Sequence, residues 1–147
     1  MSTSNRTQAP ALAGFHHFSP TVNDVEASAV WYESVLGLQR LPFPIPHHGS
    51  ETQGYAVLLI DPPSGVAIGL HHHDDHQQQL ADERRTGLDH ISFTVASHEE
   101  LEAWADWFDD KGVTHSGVID VTAPLPCSVI VFRDPDDIQL ELMYVPT

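Results

Sequence analysis

The side chains best suited to chemistry in this chain are two histidines and a glutamate. His17 lies in GFHHFSPTV, residues 14–22, and His90 in GLDHISFTV, residues 87–95. At an offset of 73 the two segments share Gly14/Gly87, His17/His90, Ser19/Ser92, Thr21/Thr94 and Val22/Val95. Glu141 interrupts the closing apolar run 138–145, where Ile138, Leu140, Leu142 and Tyr144 form one face and Gln139, Glu141 and Met143 the other. A carboxylate in so apolar a strand is costly unless it is paired, hydrogen-bonded or bound to a cation. Two neutral imidazoles and one carboxylate, with coordination positions left open, suit a catalytic divalent metal. Nitrogen and oxygen donors without a thiolate suit Zn, Ni, Mn, Co or Fe(II). The competing reading is two ordinary hydrogen-bonded histidines and a glutamate paired with an arginine; the symmetry of the repeat favours the metal.

For these residues to meet, the repeat must extend into the elements that carry them. The same offset aligns Trp31 with Trp104, residues 56–59 with 129–132, and Asp61-Pro62 with Asp134-Pro135. A duplication with one order of elements in each half accounts for all of this. Each half opens on a strand with His, Ser and Thr on one face and apolar residues on the other. A helix follows: Ser97 and Glu100 form a capping box in the second copy, and Lys111-Gly112 ends that helix. In the first copy Asn23 with Glu26 is the expected cap and Gly37 the expected end. Short apolar runs broken by turns complete each half, at about 39–43, 55–60 and 66–70, then at about 113–121, 128–132 and 138–145. The predicted fold is α+β, two tandem βαβββ modules whose curved mixed sheets surround a metal-binding cleft. Residues 1–12 read as a disordered tail and 13–147 as one domain, with modules at about 13–75 and 87–146 joined by a linker at about 76–86.

Composition narrows the partners. With 147 residues, 41% of them hydrophobic, the chain can bury a core, and Asp and Glu outnumber Lys and Arg 21 to 6 for a formal charge of -15. Six cations cannot form the basic footprint that nucleic acid or an anionic membrane surface requires. The single cysteine, Cys127, excludes an internal disulfide and fits a reducing compartment. With no signal-peptide pattern and no apolar stretch of spanning length, the expectation is a cytoplasmic protein acting on a small molecule.

The ordered set His17-(x)6-Asp24, Trp31-Tyr32, Leu36-Gly37, Gly87-Leu88-Asp89-His90-Ile91 and Asp134-Pro135-Asp136 leading to Glu141 resembles the vicinal oxygen chelate superfamily. That group includes glyoxalase I, epimerases, extradiol ring-cleaving dioxygenases, fosfomycin-resistance enzymes and bleomycin-binding proteins. The resemblance covers about residues 14–145. It implies a metal held from the first and last strands of each module, which places His17, His90 and Glu141 on three of four positions. Gly69 falls on the fourth and offers no ligand. His71, one pleat further along, is the candidate substitute, with His73 next and a site of three protein ligands as the remaining alternative. By the same resemblance Glu141 is the catalytic proton carrier, the chemistry is glyoxalase-like lyase or isomerase chemistry through a stabilised enediolate or oxyanion, and the protein is a homodimer. The alternatives are an extradiol dioxygenase using His17, His90 and Glu141 as a two-histidine, one-carboxylate Fe(II) site, and a non-catalytic drug-binding protein of the bleomycin-resistance kind.

Overall fold

The computed structural model describes residues 8–48 and 53–147. Ten elements follow in order: α1 (Val25–Leu36), β1 (Gln39–Arg40), β2 (Ile45–Pro46), β3 (Gly54–Asp61), β4 (Val66–His73), β5 (Ile91–Thr94), α2 (His98–Lys111), β6 (Ile119–Val121), β7 (Cys127–Arg133) and β8 (Gln139–Tyr144). The architecture is α+β, two βαβββ-like modules with mixed sheets. The expected tail falls partly outside the described residues, at 1–7; residues 8–12 are exposed.

In the second module the sheet order is β5-β8-β7-β6, with β5 parallel to β8 and the other pairs antiparallel. The first module repeats it with a less regular opening segment. Residues 18–22 form no regular strand but run along β4 through four backbone hydrogen bonds, with parallel bridges at Phe18↔Ile68 and Thr21↔His71, while β3 pairs with β4 on one side and with β1 and β2 on the other. Burial still alternates along this segment, Phe18, Pro20 and Val22 in, His17, Ser19 and Thr21 out. Phe18 opposes Ile68 as Ile91 opposes Leu140, so the register places Gly69 where the second module has Glu141.

Helix boundaries follow their caps. Ser97 accepts from the Glu100 amide at 3.1 Å, and Gly112 closes α2 with φ 69°, a left-handed turn that a side chain disfavours. The cap of α1 is Asp24, which accepts from the Ala27 amide at 3.0 Å, and not Asn23 as expected. Asn23 is recruited elsewhere: its backbone and side-chain N–H groups donate to the two carboxylate oxygens of Asp136 at 3.1 and 2.8 Å. Strand β4 runs on through His73, three residues past the expected end, because its pairing with β3 continues to Gly54↔His73. The stretch expected as a strand from 113 narrows to Ile119–Val121.

Both modules share one core. Phe18, Val57, Leu59, Ile68 and Leu70 from the first sheet join Ile130, Phe132, Leu140 and Leu142 from the second around Tyr32 and Phe108 of the helices. Tyr32 donates to Asp134 at 2.9 Å, Trp107 donates to the Val35 carbonyl at 2.8 Å, and Trp31 stacks on Phe132. These contacts make the modules one packing unit. Their apolar faces are spent on this core, so the opposite faces, carrying His71 and His73 in one sheet and Glu141 in the other, are left for chemistry.

Candidate metal centre

The second module presents two donors already fixed in orientation. His90 Nδ1 lies 2.6 Å from Asp89 Oδ1, and Gln139 donates to the same oxygen at 3.1 Å. A carboxylate on Nδ1 holds the proton there and turns Nε2 outward with its lone pair, the arrangement found behind metal-bound imidazoles. Glu141 sits directly beside Ser92 in the parallel register, and the Ser92 hydroxyl donates to Oε1 at 2.8 Å. Its other oxygen has no hydrogen bond among the described residues. Together with Phe18, Pro20 and Thr21, His90 borders a cleft of about 560 Å³ where the opening segments of the two modules meet.

The first module gathers imidazoles instead. Along β3 and β4 the outward face runs Gly54, Ala56, Leu58 against His73, His71, Gly69. Ile45 pairs with Ala56, so the register continues His47 to a place across from Gly54. The middle strand therefore carries its two smallest side chains between the histidine-bearing strands. A Cβ on Gly54 would stand 2.0 Å from the His72 carbonyl oxygen and 3.0 Å from His47 Cε1, and its own φ of 156° favours glycine, so close backbone approach first and the His47 ring second keep the position bare. Over that gap the rings of His47 and His73 come to 4.3 Å between centroids, and those of His47 and His71 to 4.9 Å. One ligand atom from each of His47, His71 and His73 lies within 4.8 Å of the others, which is compatible with a shared metal ion. His47 Nε2 is 3.3 Å from the Tyr55 carbonyl, and its buried Nδ1 has no hydrogen-bond partner among the described residues. Burial first, then the neighbouring His47, His73 and His17, hold the His71 imidazole below its ordinary pKa and so in the neutral form that metals require.

His17 stands close enough to influence His71 electrostatically, and its Nδ1 is 2.8 Å from that of His16. Among the described residues His47, His71 and His73 are the one group of three such side chains with ligand atoms within 4.8 Å of one another; the structure does not bring His17, His90 and Glu141 that close, either to each other or to this group. Gly69 is glycine for a local reason: a Cβ there would meet the Ser19 hydroxyl at 2.8 Å, with His71 Nε2 at 3.8 Å. His47 is the member that sequence reading passed over. It lies beyond a proline in a two-residue strand, and the usable signal was the alternation of Gly54 and Ala56 opposite a histidine-rich strand.

Comparison with known proteins follows the same lines. Residues 14–142 match the family described as Glyoxalase/Bleomycin resistance protein/Dioxygenase superfamily. A glyoxylase/bleomycin resistance protein/dioxygenase domain from Frankia sp. EAN1pec is 31% identical, covering 92% of this chain and 100% of that one with a TM-score of 0.78. A curated relative, the putative ring-cleaving dioxygenase MhqA of Bacillus subtilis, is 27% identical over 92 residues; the match takes in 63% of this chain and 28% of that protein's length. The fosfomycin resistance protein FosX of Listeria monocytogenes, as a point mutant complexed with Mn(II) and 1S,2S-dihydroxypropylphosphonic acid, shares the fold at 16% identity, 92% and 95% coverage and a TM-score of 0.61.

Proposed function

The chain belongs to the glyoxalase/bleomycin resistance/dioxygenase superfamily, and on that premise we propose that it is a metal-dependent enzyme of the glyoxalase-like group, performing lyase or isomerase chemistry on a small substrate with neighbouring oxygens. The observation that carries this reading is the pair of braced donors, His90 held by Asp89 and Glu141 held by Ser92. Such bracing suits a divalent ion better than a solvated surface, where imidazole and carboxylate need no fixed direction. In this reading His17, His90 and Glu141 hold the ion, with His71 as the adjoining fourth donor. When bound, the ion supplies Lewis acidity to the substrate oxygens.

The rest of the work belongs to the side chains. Ser92 fixes Oε1 of Glu141, the oxygen that would face the ion, and so leaves Oε2 to take a proton from one substrate carbon and return it to the next. Asp89 keeps the proton on Nδ1 of His90, so that the imidazole presents a lone pair and not an N–H. The formal net charge of -15 disfavours a highly anionic substrate and favours a neutral or cationic one. We also place the working form as a homodimer. Phe15 and Leu88 occupy equivalent positions of the repeat and are both large, apolar and exposed, at 83% and 65%, which is unusual for a face turned only to water.

A second reading, ring cleavage of a catechol by an Fe(II) site of two histidines and one carboxylate, is favoured by the likeness to the putative dioxygenase. A screen of the metal-reconstituted protein against hemithioacetals and catechols separates the two. Turnover of a hemithioacetal that Glu141→Gln abolishes supports the first, and oxygen uptake with catechol supports the second. Inactivity on both, with a cationic drug bound instead, contradicts both.

A further inference from the structure

We propose that His47, His71 and His73 form a metal site of their own, separate from the His17, His90 and Glu141 set, and that it takes a late first-row divalent cation of the cobalt-to-zinc range. The inference deepens the functional reading by withdrawing His71 from the family-type site, which then keeps three protein ligands.

Three features of the cluster carry it. First, it is complete within one sheet of one module, with one ligand atom of each residue mutually within 4.8 Å. Second, the His47 tautomer is set by its surroundings. The Tyr55 carbonyl can only accept, so the proton of the neutral ring sits on Nε2, and Nδ1 carries the lone pair. That Nδ1 is buried and has no hydrogen-bond partner among the described residues. An acceptor left so is destabilising, and a cation at the centre of the cluster would satisfy it. Third, the backbone is arranged for the approach: Gly54 and Ala56 leave the surface of β3 bare between the rings. Three imidazole donors would leave an ion that prefers four ligands with one open position.

The donor set indicates the ion. Among the described residues all three donors are imidazole nitrogens, with neither carboxylate nor thiolate in the group, which favours Zn, Ni, Cu or Co over Mg, Ca or Mn. The acidic surface raises the local concentration of any cation that finds the site.

The test uses the full chain, stripped of metal with a chelator that is then removed. Titration with ZnCl2 is followed by calorimetry, and Cu(II) is added to a parallel sample for nitrogen hyperfine structure in the electron paramagnetic resonance spectrum. We expect His47→Ala and His73→Ala each to weaken one class of Zn binding by at least about tenfold, and the Cu(II) spectrum to lose one nitrogen in each. His72→Ala controls for general histidine content: His72 lies on the same strand, but on its other face with its ring 2.9 Å from Asp74, and its loss should change nothing. Should His47→Ala fail to fold by circular dichroism, His47→Gln and His73→Gln give the same reading. Unchanged Zn binding in the His47 and His73 variants, or an equal loss in the His72 variant, overturns the proposal. If instead all metal is lost in His90→Ala and Glu141→Ala and none in His47→Ala, this site falls and the functional reading stands. Metal lost only in the His47 and His73 variants supports this site and contradicts that reading.

Discussion

Asp134 offers a test of how the modules are locked together. Its side chain is buried at 5% exposure and accepts three hydrogen bonds, from Tyr32 Oη and from the amides of Asp136 and Ile138, each at 2.9 Å. Burial outweighs these donors and pushes its pKa from 3.8 up to about 6, with the nearby Asp136 adding to the rise. A group whose pKa is raised on folding contributes stability that is complete below its unfolded value and is lost as pH rises through the folded value. At about 1.4 kcal/mol per pH unit the interval from 3.8 to about 6 corresponds to about 3 kcal/mol. Roughly 2 kcal/mol of that falls between pH 4 and pH 8. Asp134→Asn removes the titration while keeping an acceptor for the two amides. Urea unfolding of both proteins across that range should show the variant gaining about 2 kcal/mol on the wild type from pH 4 to pH 8. A difference that stays flat, or that runs the other way, would refute the claim that burial dominates at Asp134.

Other consequences are read with simple assays. Ser92→Ala and Asp89→Asn release Glu141 and His90 from their braces and should each weaken metal binding by about 10- to 100-fold without altering the fold, as measured by competition with a chromogenic chelator. Paired Phe15→Ser and Leu88→Ser substitutions should shift the protein from dimer to monomer in sedimentation equilibrium, and an unchanged mass would place the interface elsewhere. Asp24→Ala removes the true cap of α1 and should cost about 1 kcal/mol in urea unfolding. Asn23→Ala should cost at least as much, because it strips a buried carboxylate, Asp136, of its side-chain donor.

Much of the architecture was legible in the residues because duplication writes each element twice. The offset of 73 located both opening segments, and the cap and stop residues of α2 delimited it. The correspondence of Gly69 with Glu141 came from pairing residues 66–70 with 138–142, an offset of 72 and not 73, and stands in the pairing of Phe18 with Ile68 and Ile91 with Leu140. The cap of α1 was misassigned because Asn23 and Asp24 are equally able to cap. What decided between them was Asp136, 113 residues away, which no local pattern reveals. The three-imidazole cluster was half visible. Period-two alternation placed His71 and His73 on one face, but His47 joins them only through the register of β2 and β3, a long-range property set by which strand pairs with which. The bracing of His90 by Asp89 was available in the adjacent letters of the sequence, yet its direction depends on Gln139 arriving from β8.

Metal content of the purified chain tests the metal-dependent function most directly. After reconstitution with a divalent transition metal and removal of excess, elemental analysis should find bound ion in the wild type and a matching loss in His90→Ala and in Glu141→Ala, with both variants folded by circular dichroism. Full metal content in those two variants, or a wild type that stays empty at saturating metal, would contradict the reading of this protein as a metal-dependent enzyme at these residues.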